Sequence, residues 1–284
     1  MPKLGVRPQA QLSALGSDPT APRFLMCAPT HYGIRYEINP WMSVKRQADA
    51  RLAQRQWHAL RAVLLRLGAR VRLLRAQPGV PDLVFTANAG LVHQRTLIVS
   101  RFRHVQRQRE VPYIERHFRR AGYRIARLPS PYRFEGEGDA LWMNDTLVFG
   151  FRFRSDAPAH EFLATTLRAR VVPVELADRR FYHLDTCFCP LDGATALWFP
   201  KAFDRYGRAA IEHLVEDLIP VSEADAKRFA CNAVVLGKTV VMQAGVSASL
   251  ARALTRRGFG IEPVDLSEFL KAGGSAKCLV LRLN

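Results

Sequence analysis

Hydrophobic positions along this chain fall into short runs, and the runs come in pairs. Residues 83–92 with 96–100, 139–143 with 146–150, 185–191 with 196–199, and 232–236 with 239–243 each read as two strands joined by a polar turn. The turns are polar, and three of the four hold Gly, Asn or Asp, as hairpin turns do. A helical stretch follows each pair, at 107–121, 157–169, 204–218 and 247–257. Apolar strands then follow at 123–128, 171–176 and 259–264. After the third helix the pattern predicts no strand, only Pro220-Val221 and a short helix from Ser222. At the start, 24–27 reads as a strand, Ser43 as the cap of a helix ending at Leu67 with Gly68 as its stop, and 71–74 as a strand. The units repeat at roughly fifty residues, the range where a repeat architecture must be considered. The opening strand-helix-strand and the closing 278–281 complete a fifth unit. The expectation is therefore a closed ring of five units forming a single α/β domain over residues 23–284. Residues 1–22 are expected to form a flexible tail. The mouth of such a ring is where residues from several units converge.

Composition narrows the class. A chain of 284 residues, 48% hydrophobic, can bury one large core. No apolar run approaches the roughly 20 residues that span a bilayer, and residues 1–23 lack the apolar core of a secretory signal. Five cysteines, with no CxxC pair, suit a cytoplasmic protein with free thiols. Cys27, Cys187, Cys189 and Cys231 sit in apolar runs that should bury them. Cys187-x-Cys189 near His183 matches no common zinc spacing, so no metal is expected. The net charge of +17 raises the question of nucleic acid, but the arginines are scattered, without the interleaved aromatics of a binding stripe. A solvated basic face is the plainer reading, with no nucleic-acid or membrane partner. Self-association stays open.

The candidate chemistry begins in 181–187, an apolar run that reads as strand. On a strand, residues i and i+2 face the same side, so His183 and Asp185 project together. The pair suits proton transfer; alone, it is as well explained by a structural histidine. Other elements fall at equivalent places in the repeat. Glu135 and Asp139 open one hairpin, and Asp82, Phe85 and Asn88 lie on the first strand of an earlier one. Cys278 begins the last strand after Gly273 and Gly274. Cys, His and Glu converging in space suggest covalent catalysis by a thiolate. Carboxylates near a thiol raise its pKa in an empty site, which suits a cationic substrate that offsets them. Lys277, beside Cys278, should favour the thiolate. The pattern points to a guanidine.

The motifs Pro81-Asp82-x-x-Phe85 with Asn88, Glu135-Gly136-x-Gly138-Asp139, His183-Leu184-Asp185-Thr186 and Gly273-Gly274-Ser275-x-x-Cys278 resemble those of the guanidino-group-modifying (amidinotransferase, or pentein) superfamily, in its order and over nearly the whole chain. The resemblance implies a five-bladed α/β-propeller of ββαβ units and chemistry without metal or cofactor. It implies Cys278 as nucleophile on the guanidinium carbon, His183 as acid and base, and Glu135 and Asp185 gripping the guanidinium nitrogens. Of Glu135 and Glu137, Glu135 fits the catalytic place. Met26-Cys27-x-Pro29-Thr30, Asn39-Pro40-Trp41-Met42 and Thr86-Ala87-Asn88-Ala89-Gly90 are similar to dimethylargininases and, more closely, arginine dihydrolases. By the same resemblance Asn39 touches the substrate, and Arg101, Arg107 and Arg154 stand where such enzymes bind a substrate carboxylate, work suited to a bidentate guanidinium. Taken singly, each arginine is equally a solvated surface residue. Arginine deiminases usually carry a carboxylate where this chain has Asn88, which argues against simple deimination. The expected activity is hydrolysis of the guanidine C–N bond of arginine or an N-methylated arginine. Amidino transfer is one alternative; a non-catalytic, ribosome-binding member of the same fold is the other.

Overall fold

In the computed structural model, which describes residues 20–129 and 131–284, five three-stranded sheets repeat one plan. In the second unit Gly90–His93 pairs antiparallel with Thr96–Val99, which pairs in parallel with Arg124–Arg127. Ala140–Met143, Thr146–Phe151 and Arg170–Glu175 make the third unit. Phe188–Pro190, Thr195–Trp198 and Asp217–Pro220 make the fourth, and Val234–Leu236, Thr239–Gln243 and Gly260–Val264 the fifth. The remaining sheet joins the two ends of the chain: Leu281–Arg282 pairs antiparallel with Arg23–Cys27, which pairs in parallel with Arg70–Leu74. This is the expected five-unit α/β-propeller.

The plan follows from the residues. In the second to fifth units a tight turn closes the antiparallel pair; Gln94, Asn144 and Gly237 adopt positive φ there (52°, 51° and 58°). The parallel partner then needs a crossover, and a helix supplies it: Val111–Arg120, Ala159–Leu167, Arg205–Leu214 and Ala248–Thr255. Middle strands are buried on both faces, as at Leu147, Val148 and Phe149, so they read as unbroken apolar runs. Outer strands are sheet edges, and three of the five carry prolines, Pro173, Pro220 and Pro263.

Four boundaries differ from the sequence reading. The first helix is Ala50–Arg66, capped by Asp49, whose side chain accepts the Leu52 amide at 2.7 Å; Ser43 instead opens a separate turn. The fourth unit does have its outer strand, because the helix before it stops at Leu214. Residues 1–19 of the expected tail lie outside the described residues, while the Ala21 and Pro22 carbonyls accept hydrogen bonds from Asn284 and Arg70.

The fourth difference positions the site. The segments before the inner strands are not strand but 3₁₀ turns: Pro81–Val84 and Thr86–Ala89, Gly136–Gly138, and Leu184–Thr186. Cys278 lies in a comparable turn before Leu281–Arg282 rather than on the strand. The i, i+2 argument for His183 and Asp185 therefore fails. Thr186 Oγ donates to the His183 carbonyl at 2.6 Å, a local bond that competes with strand pairing. The turns cluster at one end of the ring and pack on one another. At Gly136 (φ +64°) a Cβ would lie 2.7 Å from the Ala87 and Gly90 carbonyl oxygens.

Candidate active site

His183 and Glu135 come together from neighbouring turns. His183 Nε2 is 2.8 Å from Glu135 Oε2, and both residues are buried. Arg154 Nη1 donates to the same carboxylate oxygen at 2.9 Å, while its Nη2 donates to the Ile38 carbonyl. The Arg154 guanidinium lies over the Tyr182 ring, 4.6 Å from its centroid. Burial alone would raise the Glu135 pKa, but Arg154 and the hydrogen bond to His183 outweigh it and hold the carboxyl well below its usual range. Burial pushes His183 the other way, down to about 4 against the pull of Glu135, so the imidazole is neutral near pH 7. Gly138 must be glycine: a Cβ there would sit 2.2 Å from Asn88 Nδ2 and 3.2 Å from the His183 ring.

Asp139 lies behind this pair. Its carboxylate accepts the Ser155 hydroxyl at 2.6 Å and the Leu184 amide at 3.1 Å, tying the two turns together. It does not line the cleft. Burial raises its pKa well above the ordinary value.

Cys278 is 2% exposed. Its Sγ donates to Asp185 Oδ2 at 3.3 Å and accepts from Asn232 Nδ2 at 3.1 Å. Burial first, and Asp185 second, push the thiol pKa well up; only the Asp185 part is the effect expected of a carboxylate beside a thiol. Asp185 is raised to about 7 by burial, and its Oδ1 is buried with no hydrogen-bond partner. Lys277 does not serve the thiol. Its Nζ pairs with Glu137 Oε2 at 2.7 Å, and both line a separate cavity of about 390 Å³ along the inner strands. That geometry separates the two glutamates: Glu135 meets His183, and Glu137 meets Lys277. Cys27, Cys187, Cys189 and Cys231 are buried, as their apolar runs predict.

A narrow cleft leads to the sulfur. Asn39, Asp82, Phe85, Asn88, Arg107, Arg154 and Cys278 line it, with Ile38, Met42, Tyr182, Ala272 and Gly273. Asn39 Nδ2 donates to the Ala272 carbonyl. Asp82 accepts the Tyr36 hydroxyl at 3.0 Å, and burial raises its pKa. Asn88 Oδ1 accepts from Arg107 Nη1 at 2.7 Å, and its Nδ2 donates to the Glu135 carbonyl. Arg107 is 3% exposed and bidentate on Glu110, so its fork already has a carboxylate within the protein. Arg101 pairs through its backbone with Phe134 and does not line the cleft.

Sequence reasoning missed four residues: Asn232, Ser155, Tyr182 and Glu110. Asn232 alone had a signal, because it stands two residues before an inner strand, as Asn88 does.

Residues 37–284 match the family model described as N,N dimethylarginine dimethylhydrolase, eukaryotic. A bifunctional arginine dihydrolase/ornithine cyclodeaminase, AgrE, of Nostoc sp. is 47% identical over 92% of this chain, which spans 38% of that protein. An N(G),N(G)-dimethylarginine dimethylaminohydrolase of Mycobacterium tuberculosis is 39% identical over 94% of this chain and 87% of its own length. The crystal structure of the N-terminal domain of ArgZ, an arginine dihydrolase, as a cysteine-to-serine mutant bound to substrate, superposes with a TM-score of 0.89 at 44% identity, covering 93% of this chain and 98% of that one. The chain belongs to the dimethylarginine dimethylaminohydrolase family of the pentein superfamily.

Proposed function

We propose that this protein hydrolyses the guanidine C–N bond of free arginine through a covalent adduct on Cys278, and carries the reaction on to ornithine. The observation that carries this is the pairing of Cys278 with Asp185 and of His183 with Glu135, from three turns, behind a narrow cleft that Cys278 lines. Asp185, with an oxygen that has no partner in the protein, takes a guanidinium nitrogen, and Glu135 holds the other side. The bound cation offsets the carboxylates, and the Cys278 proton passes to His183. The thiolate adds to the guanidinium carbon. His183 returns the proton to the departing nitrogen, and ammonia leaves a thiouronium. Water then gives a proton to His183, and the resulting hydroxide displaces sulfur to give citrulline. A second round on the ureido carbon gives ornithine, ammonia and carbon dioxide.

Neutral Asn88 supports the second round, because an amide at the cleft wall tolerates an uncharged ureido group. Phe85, Asp82 and Asn39 shape the wall. Arg154, already paired with Glu135, tunes that carboxylate. The family match favours a second reading, an N-methylated arginine yielding citrulline and a methylamine. Amidino transfer needs an amine acceptor in place of water, and a non-catalytic role leaves the buried thiol-imidazole-carboxylate set without a purpose. Within the described residues no helix is long and apolar enough to cross a membrane; five free cysteines fit a cytoplasmic setting. The test is chromatography of products from arginine and from methylated arginines. Ornithine from arginine supports the first reading. Citrulline and methylamine from the methylated substrate alone support the second, and amidino transfer to added glycine contradicts both.

A further inference from the structure

We propose that Asn232 is a catalytic residue of this site: its carboxamide N–H holds the Cys278 thiolate, and its carboxamide oxygen fixes the turn that presents the sulfur. The inference rests on the reading of Cys278 as the nucleophile.

Asn232 has no exposed surface, and every polar atom of its side chain is used. Oδ1 accepts the backbone amides of Ser275 at 3.0 Å and Cys278 at 3.1 Å. Nδ2 donates to the Asp185 carbonyl at 3.1 Å and to Cys278 Sγ at 3.1 Å. Its backbone carbonyl accepts the Lys277 amide at 3.2 Å. The two backbone amides on Oδ1 can only donate, so the carboxamide orientation is fixed by its partners. The NH₂ must face the sulfur.

That placement matters because of what else surrounds Sγ. Asp185 Oδ2 is an acceptor from a thiol but a repulsive neighbour for a thiolate. His183 is engaged by Glu135, and Lys277 is turned away onto Glu137. Arg107 and Arg154 line the same cleft but are paired with Glu110 and Glu135, and the Tyr182 hydroxyl donates to the Gly273 carbonyl. Asn232 is thus the side-chain donor aimed at the sulfur, beside the Ser275 backbone amide. Its bond strengthens once the sulfur carries charge. A lysine at this place would hold the thiolate more strongly and repel a guanidinium. A neutral amide does the first without the second.

The experiment is the pH dependence of Cys278 alkylation by iodoacetamide, read by peptide mass spectrometry on the full chain without substrate. The thiolate forms an S–C bond, iodide leaves, and the thiol proton goes to buffer. Asn232→Asp keeps the shape and the acceptor for both backbone amides but replaces the donor. Its alkylation should slow by about tenfold or more at a given pH, equivalent to a thiol pKa about one unit higher or more. With arginine, kcat should fall with little change in KM. Asn232→Ser, which also lacks the N–H, should show the same slowing and covers the case in which the carboxylate variant does not fold. A folded variant alkylated at the wild-type rate, with the wild-type pH midpoint, overturns the proposal. Wild-type turnover is measured alongside. A wild type inert on every guanidine, with the alkylation shift intact, sinks the substrate reading and leaves Asn232 standing.

Discussion

Glu135 Oε2 is shared by two donors: His183 Nε2 at 2.8 Å and Arg154 Nη1 at 2.9 Å. One buried oxygen therefore stabilises an imidazolium whenever His183 takes a proton, and the cation beside it keeps that oxygen ionised. Glu135→Gln keeps the shape and removes the charge. It should lower kcat on arginine by on the order of 10²–10⁴, the range for losing general acid–base function. Steady-state ammonia release checks this, with circular dichroism to confirm the fold. A folded variant that keeps most of its turnover removes Glu135 from the mechanism.

In the proposed role, Asp185 should make binding pH-dependent. Burial raises its pKa to about 7, so below that pH the empty site holds it protonated. A guanidinium favours the carboxylate and expels the proton. Affinity should therefore weaken as pH falls below about 7, by up to about tenfold per unit. Calorimetry with Cys278→Ser, expected to bind arginine without turning it over, measures this. The same affinity at pH 7 and about 5.5 contradicts the assignment.

Arg107 and Glu110 form a buried ion pair, 3% and 1% exposed. Removing one partner strands a buried charge, so Arg107→Ala should cost about 3–5 kcal/mol of stability. Arg66→Ala, which breaks the exposed pair with Glu262, should cost under about 1 kcal/mol. Urea unfolding of the two variants gives the comparison; equal losses would show that the Arg107 fork is not held as a structural pair.

The repeat was legible because its middle strands are buried on both faces and leave unbroken apolar runs. The site residues were legible as types, but their backbone was not. The turns carrying His183 and Asp185 are as apolar as the strands they precede, and only local bonds such as Thr186 to the His183 carbonyl distinguish them. The outer strand Asp217–Pro220 was hidden for another reason. It is anchored by a bidentate Arg257 on Asp217, 40 residues away, which no local window contains. Lys277 shows the limit of adjacency in sequence. It neighbours Cys278 in the chain yet reaches Glu137, 140 residues away.

Asn88 should decide how far the reaction goes. Its oxygen is held by Arg107 and its NH₂ donates to the Glu135 carbonyl. Asn88→Asp keeps the contact with Arg107, sets an oxygen against that carbonyl, and adds an anion that prefers a guanidinium to a ureido group. Product from arginine should shift from ornithine towards citrulline. An unchanged product ratio on chromatography would make Asn88 a packing residue and favour the methylarginine reading.

The proposed hydrolysis runs through a covalent adduct on Cys278. The direct measurement is acid-quench mass spectrometry of the protein mixed with arginine, followed by peptide mapping. A transient adduct is expected on the peptide containing Cys278, absent from Cys278→Ala together with all turnover. An adduct on Cys27, Cys187, Cys189 or Cys231, or a Cys278→Ala variant that still turns over arginine, would contradict it.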